Sequence, residues 1–180
     1  MSEARPFRSL TPREQAGSLA RSFLGLLPFL VAAFGFLLTT IPFFPPIALV
    51  PDIGLALVYL FSLYRPTQLP VWTTVPLGVI ADALLGYPMG AHALALPILA
   101  LAVEYVDTLS KRTNWVLDWL LFVPFMALAE VMLWLFCRFA GPEVPLSPFM
   151  TQGLATVAVF PFVAFLFVSF QRNFVDRVFR

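Results

Sequence analysis

The chain has 180 residues, of which 60% are hydrophobic and only 12% charged, with a mean hydropathy of +0.88. Soluble domains usually carry about 25% charged residues, so this chain has too little polar surface to coat a water-exposed globule. A net charge of +1 gives no bulk attraction for nucleic acid, and the single cysteine, Cys137, excludes an internal disulfide.

In chain order, Thr11-Pro12-Arg13-Glu14 reads as a capping box, with Thr11 as N-cap and Pro12 at the first helical position. Residues 1–22 are therefore expected to form a cytoplasmic segment with a short capped helix. A first apolar span follows at Phe23–Ile41. It is nearly full length and lacks the small-residue cleavage pattern of a signal peptide, so it is expected to be retained. Five more spans are expected, at Ile47–Leu63, Val71–Leu85, Ala91–Val106, Trp115–Phe136 and Phe149–Phe170. Crossing about 30 Å of hydrocarbon takes about 20 apolar residues, so the third and fourth are short. Proline and glycine clusters cut the chain between them: Pro42, Pro45 and Pro46, then Arg65-Pro66, then Gly86-Tyr87-Pro88-Met89-Gly90, then Gly141-Pro142. The fold expected is an all-α integral membrane protein, a six-helix transmembrane bundle over residues 23–170.

Lys and Arg fix the expected orientation. Ten of the eleven fall on one side: Arg5, Arg8, Arg13 and Arg21, then Arg65, then Lys111 and Arg112, then Arg172, Arg177 and Arg180. Only Arg138 falls on the other. The basic side is therefore read as cytoplasmic, with both termini inside. Residues 171–180 form a basic tail in which Phe174, Val175 and Val178 share a helical face with Phe170. This is either an amphipathic helix in the headgroup region or a charged tail that stops transfer.

Ionisable groups at membrane depth are costly and tend to face the bundle interior. Four such groups stand out here: Asp52, Asp82, Glu104 and Glu130. The threading places Asp52, Asp82, His92 and Arg138 in the outer half, with Glu130 two turns below Arg138, about 12 Å at 1.5 Å per residue. Asp52, after Pro51, either complements the positive end of its helix or joins this cluster. Asp82 sits late in its span and needs a partner: Arg138, His92, or the backbone N–H groups of the glycine turn. Glu104 and Asp107 fall near Arg65, Lys111 and Arg112 and read as interfacial pairs. Glu130 is either neutral, paired across helices, or in contact with another subunit. Gly86-x-x-x-Gly90 has dimer-motif spacing, but Pro88 makes it a turn. A lone histidine does not make a zinc site, and no serine has the context of a nucleophile. No metal, cofactor or catalytic residue is expected.

One stretch carries a resemblance. Pro51-Asp52-Ile53 opens the second span, Leu63-Tyr64-Arg65-Pro66 closes it, and Gly78-Val79-Ile80-Ala81-Asp82-Ala83-Leu84-Leu85-Gly86-Tyr87-Pro88-Met89-Gly90-Ala91-His92 follows. This pattern over residues 47–105 resembles the rod shape-determining protein MreD family of the bacterial inner membrane. The resemblance implies a non-enzymatic scaffold that binds MreC, in an assembly with MreB, RodA and a penicillin-binding transpeptidase. It also implies a bundle similar to the substrate-binding S components of vitamin ECF transporters. A small-molecule-binding transport subunit is thus the alternative function. It requires an outward cavity lined by Asp52, Asp82 and His92. On the scaffold reading, Asp52, Arg65, Asp82, Gly86, Pro88 and Gly90 shape the bundle, and one lipid-facing flank receives a partner helix.

Overall fold

The computed structural model describes residues 12–40, 50–109, 115–141 and 144–170. The expected cap Thr11, the loop residues Lys111 and Arg112, and the tail 171–180 lie outside them. The described residues form six helices and no strand: α1 (Pro12–Thr39), α2 (Ile53–Tyr64), α3 (Val71–Leu85), α4 (Ala91–Leu109), α5 (Trp115–Ala140) and α6 (Ser147–Phe170). The helix that begins at Pro12 continues unbroken to Thr39.

Neighbours alternate in direction. The start of α2 meets the end of α1, where an added Cβ on Gly35 would sit 3.0 Å from the Gly54 Cα. The end of α2 meets the start of α5 and the end of α6, through Tyr64–Asp118 and Phe61–Phe167 contacts. So α2, α4 and α6 run one way and α1, α3 and α5 the other. The bundle has a polar end, where α2 and α4 begin, and an aromatic end, where α2 finishes.

Three helices, α4, α5 and α6, are long and apolar enough to cross a membrane: Ala91–Thr108, Val116–Ala140 and Ser147–Ser169. Their outer faces are apolar as well. Leu154 is 71% exposed and Phe139 87%, with Phe162, Phe165, Leu120 and Leu101 also bare. So much uncovered apolar surface suits lipid and not water. Five helices carry an internal proline (Pro28, Pro76, Pro97, Pro124 and Pro161), which apolar membrane helices tolerate because neighbours satisfy the freed carbonyls.

The second helix differs from the sequence expectation of Ile47–Leu63. It starts at Ile53, because Asp52 is its N-cap. Pro51 has no N–H to give and a fixed φ, and the Asp52 carboxylate then takes the Leu55 amide of the first turn. The remaining 12 residues make about 18 Å of helix at 1.5 Å per residue. Nine of them are buried, so α2 is the central strut. At its far end Tyr59 packs against Phe122, Phe125 and Phe160, and Phe122 stacks on Phe160 with centroids 4.0 Å apart. The Tyr59 hydroxyl donates to the Asp118 carbonyl at 3.0 Å, and Tyr64 donates to the Asp118 carboxylate at 2.6 Å.

Candidate functional site

The helix α3 ends at Leu85 because Gly86 adopts a left-handed φ of 74°, which costs a glycine little, and its N–H donates to the Asp82 carbonyl. The chain then turns through Tyr87-Pro88-Met89 and re-enters helix after Gly90, itself at φ 105°. Pro88 offers its carbonyl to the Ala91 N–H at 3.1 Å. Gly86-x-x-x-Gly90 is thus a turn joining α3 to α4.

Asp82 closes that turn. Its Oδ2 accepts the Gly90 N–H at 2.8 Å, and its Oδ1 accepts the His92 N–H at 2.8 Å. The same Oδ1 lies 2.8 Å from His92 Nδ1. A helix start leaves its first N–H groups unpartnered and positive. Asp82 supplies the anionic cap from the preceding helix, ten residues away. This is possible because α3 and α4 touch backbone to backbone. At Gly78, one turn before Asp82, an added Cβ would sit 2.5 Å from the Ala93 Cα and from the His92 carbonyl carbon.

Asp52 does the same for α2. Its Oδ1 accepts the Leu55 N–H at 2.9 Å. Its own N–H donates to the Thr156 hydroxyl of α6 at 2.8 Å, and that hydroxyl donates to the Gln152 carbonyl. The second Asp52 oxygen lies 3.9 Å from His92 Nε2, too far for a hydrogen bond. The imidazole therefore stands between two helix-capping carboxylates. Phe36 and Tyr87 pack edge-on against it, with centroids at 5.7 and 4.8 Å. Asp52 and Asp82 are 1% exposed and His92 is 0%. A histidine held by carboxylates has the parts of a proton relay, but this one is enclosed, with no face open to a substrate.

The remaining expected site residues fall elsewhere. Arg138 does not join the cluster. It is exposed, and its guanidinium lies over the Trp134 ring, 5.5 Å from the centroid. Asp82 has no need of it, because the Gly90 and His92 N–H groups and the His92 ring nitrogen already surround its carboxylate. Arg65 is at the aromatic end, where it caps α2 and donates its N–H to the Phe61 carbonyl. Glu130 is buried on α5 beside Gly153 of α6, which leaves room for its side chain. Among the described residues, neither carboxylate oxygen has a hydrogen-bond partner. It lies within electrostatic range of Asp52 and His92.

Known protein families, characterised proteins and solved structures give no match to this chain.

The sequence reading quoted Gly78 only as the start of the resembling stretch, gave it no role, and missed Thr156, Phe36 and Gly153 as parts of this region. Gly78 had a signal: it lies four residues before Asp82, on the same helical face. Thr156 had none, since it meets Asp52 across 104 residues of chain.

Proposed function

We propose that the chain is a non-enzymatic membrane scaffold of the bacterial cell-elongation complex, crossing the inner membrane six times with both termini in the cytoplasm. It binds MreC and works in an assembly with MreB, RodA and a penicillin-binding transpeptidase. The polar end faces outward, as the distribution of Arg and Lys requires.

One observation supports this reading above the others. The residues that carry the resemblance (Pro51-Asp52, Gly78, Asp82, Gly86, Pro88, Gly90 and His92) meet in a single buried joint, in which Asp52 caps α2, Asp82 takes the Gly90 and His92 amides, and Gly78 lets α3 touch the α4 backbone. A motif consumed in holding helices together fits a rigid partner-binding body. The alternative of a solute-binding subunit requires these side chains to line a cavity, whereas Phe36 and Tyr87 cover them. Polar contacts and close backbone approach hold helices together in lipid, where no hydrophobic force separates protein from solvent. The apolar flanks of α5 and α6 remain for a partner's single helix.

The test is depletion of the protein in a rod-shaped host, with purification from native membranes in mild detergent. Rounded cells and co-purification with MreC are expected. Cells that stay rod-shaped, with MreC missing from the eluate, would end this reading. Labelling of a cysteine at Arg65 from the outside would separately overturn the six-span threading.

A further inference from the structure

The hydrogen bonds of the joint fix where one proton must be. Both oxygens of Asp82 accept backbone N–H groups, from Gly90 and His92 at 2.8 Å each, so this side chain is an ionised acceptor. Its Oδ1 also lies 2.8 Å from His92 Nδ1. A bare nitrogen there would set two lone pairs against each other, so Nδ1 carries a hydrogen. On the other side of the ring, Nε2 faces Asp52 Oδ2 at 3.9 Å and, among the described residues, has no hydrogen-bond partner. In a neutral imidazole with its hydrogen on Nδ1, Nε2 is an acceptor. It would then be buried against a second acceptor, with no donor for it, which is costly. In the imidazolium both ring nitrogens are donors, and the pair at 3.9 Å attracts.

The balance of charge points the same way. Asp52 and Asp82 each sit at the start of a helix, α2 and α4. A helix N-terminus is equivalent to about half a positive charge. The two termini therefore offset one carboxylate, and an imidazolium offsets the other. A neutral ring would leave a negative charge uncompensated among side chains that are 0–1% exposed. Arg138, the one Lys or Arg at this end among the described residues, is turned outward over Trp134. The other titratable groups nearby are Glu130 and Cys137 of α5 and Tyr87 of the turn, all of them acids that supply no positive charge. The residues of α1 and α6 that touch the set, Phe36 and Thr156, are uncharged.

We infer that His92 is an imidazolium and that its proton is the clasp of the joint, with Nδ1–H held by Asp82 of α3 and the charge at Nε2–H held by Asp52 of α2. Losing that proton leaves α4 tied to α3 through the Gly90 and His92 amides. It weakens the hold of α4 on α2, and so on α6, which Asp52 joins through Thr156. The clasp belongs to the bundle and does not depend on the scaffold reading.

His92 is the only histidine in the chain. Histidine labelled with nitrogen-15 in the ring therefore reports this one side chain in the spectrum of the full chain in nanodiscs. At neutral pH each ring nitrogen is expected to show one-bond coupling to a hydrogen. A bare ring nitrogen overturns the inference. Asp52→Asn keeps a capping side chain but removes its charge, and should return the ring to one N–H and one bare nitrogen. Two N–H groups in that variant overturn the clasp. Glu130→Gln should leave both N–H groups in place, and loss of one there would move the counter-charge to Glu130 and overturn it as well. If Asp52→Asn does not accumulate, the wild-type chain decides. Raising the pH should remove the second N–H and lower the unfolding temperature together, because a proton bound only in the folded state stabilises it only while bound. An unfolding temperature that stays level through the spectral change overturns the clasp.

Discussion

At the aromatic end, Tyr59, Phe122, Phe125 and Phe160 fill the space between α2, α5 and α6 with ring contacts at 4.0–5.8 Å. The polar end is held by two aspartates and one histidine, each 0–1% exposed, the aspartates aimed at particular backbone amides and the histidine ring at the Asp82 carboxylate. Ring packing is broad and shallow, so neighbouring arrangements have similar energies. Hydrogen bonds in a low-dielectric interior are directional, and leaving one unmade is costly. The aromatic end provides cohesion, while the polar end sets which helix stands where.

Substitutions at the two ends should separate these roles. The largest effect is expected for Asp82→Leu, which strands the Gly90 and His92 amides and the His92 ring. A loss of about 3–5 kcal/mol is expected, as for removal of one partner from a buried charged set, read as failure to accumulate in membranes. Asp82→Asn retains hydrogen-bonding capacity and should lose markedly less. Equal loss in both variants would show that charge, not hydrogen bonding, is required. Gly78→Ala comes next, because its methyl would meet the α4 backbone rather than a movable side chain. About 1–3 kcal/mol is expected for overpacking of this kind, seen as a lower unfolding temperature in detergent. Thr156→Val removes the acceptor for the Asp52 N–H and should cost about 1 kcal/mol, measured by the same melt. Phe122→Leu retains an apolar side chain at the aromatic end, and a cost below about 1.5 kcal/mol is expected. If it exceeds Gly78→Ala, the assignment of roles to the two ends is reversed.

Much of this was visible in the sequence. The helices α3 and α4 fall where proline and glycine cut the apolar runs, since those residues act locally. The carboxylates Asp52 and Asp82 were identifiable because an ionisable group in an apolar run is costly. Less of the joint itself could be read. His92 and the turn amides were among the candidate partners of Asp82, but so was Arg138, and helical spacing cannot show which way a side chain leaves its helix. The start of α2 was misplaced because hydropathy runs continuously through Ile47–Val50, and only the cap chemistry of Pro51-Asp52 marks the boundary. Gly153 was overlooked because its role is to leave space for Glu130.

The tie between Asp52 and Thr156 has a consequence for how the protein is made. The start of α2 is held by a hydroxyl that is synthesised 104 residues later. At about 5–20 residues per second, α2 waits on the order of 5–20 seconds for that contact. During that interval α2 keeps only its own cap and its contacts with helices already made. Nascent chains arrested before α6 should therefore carry an α2 that is not yet locked in place.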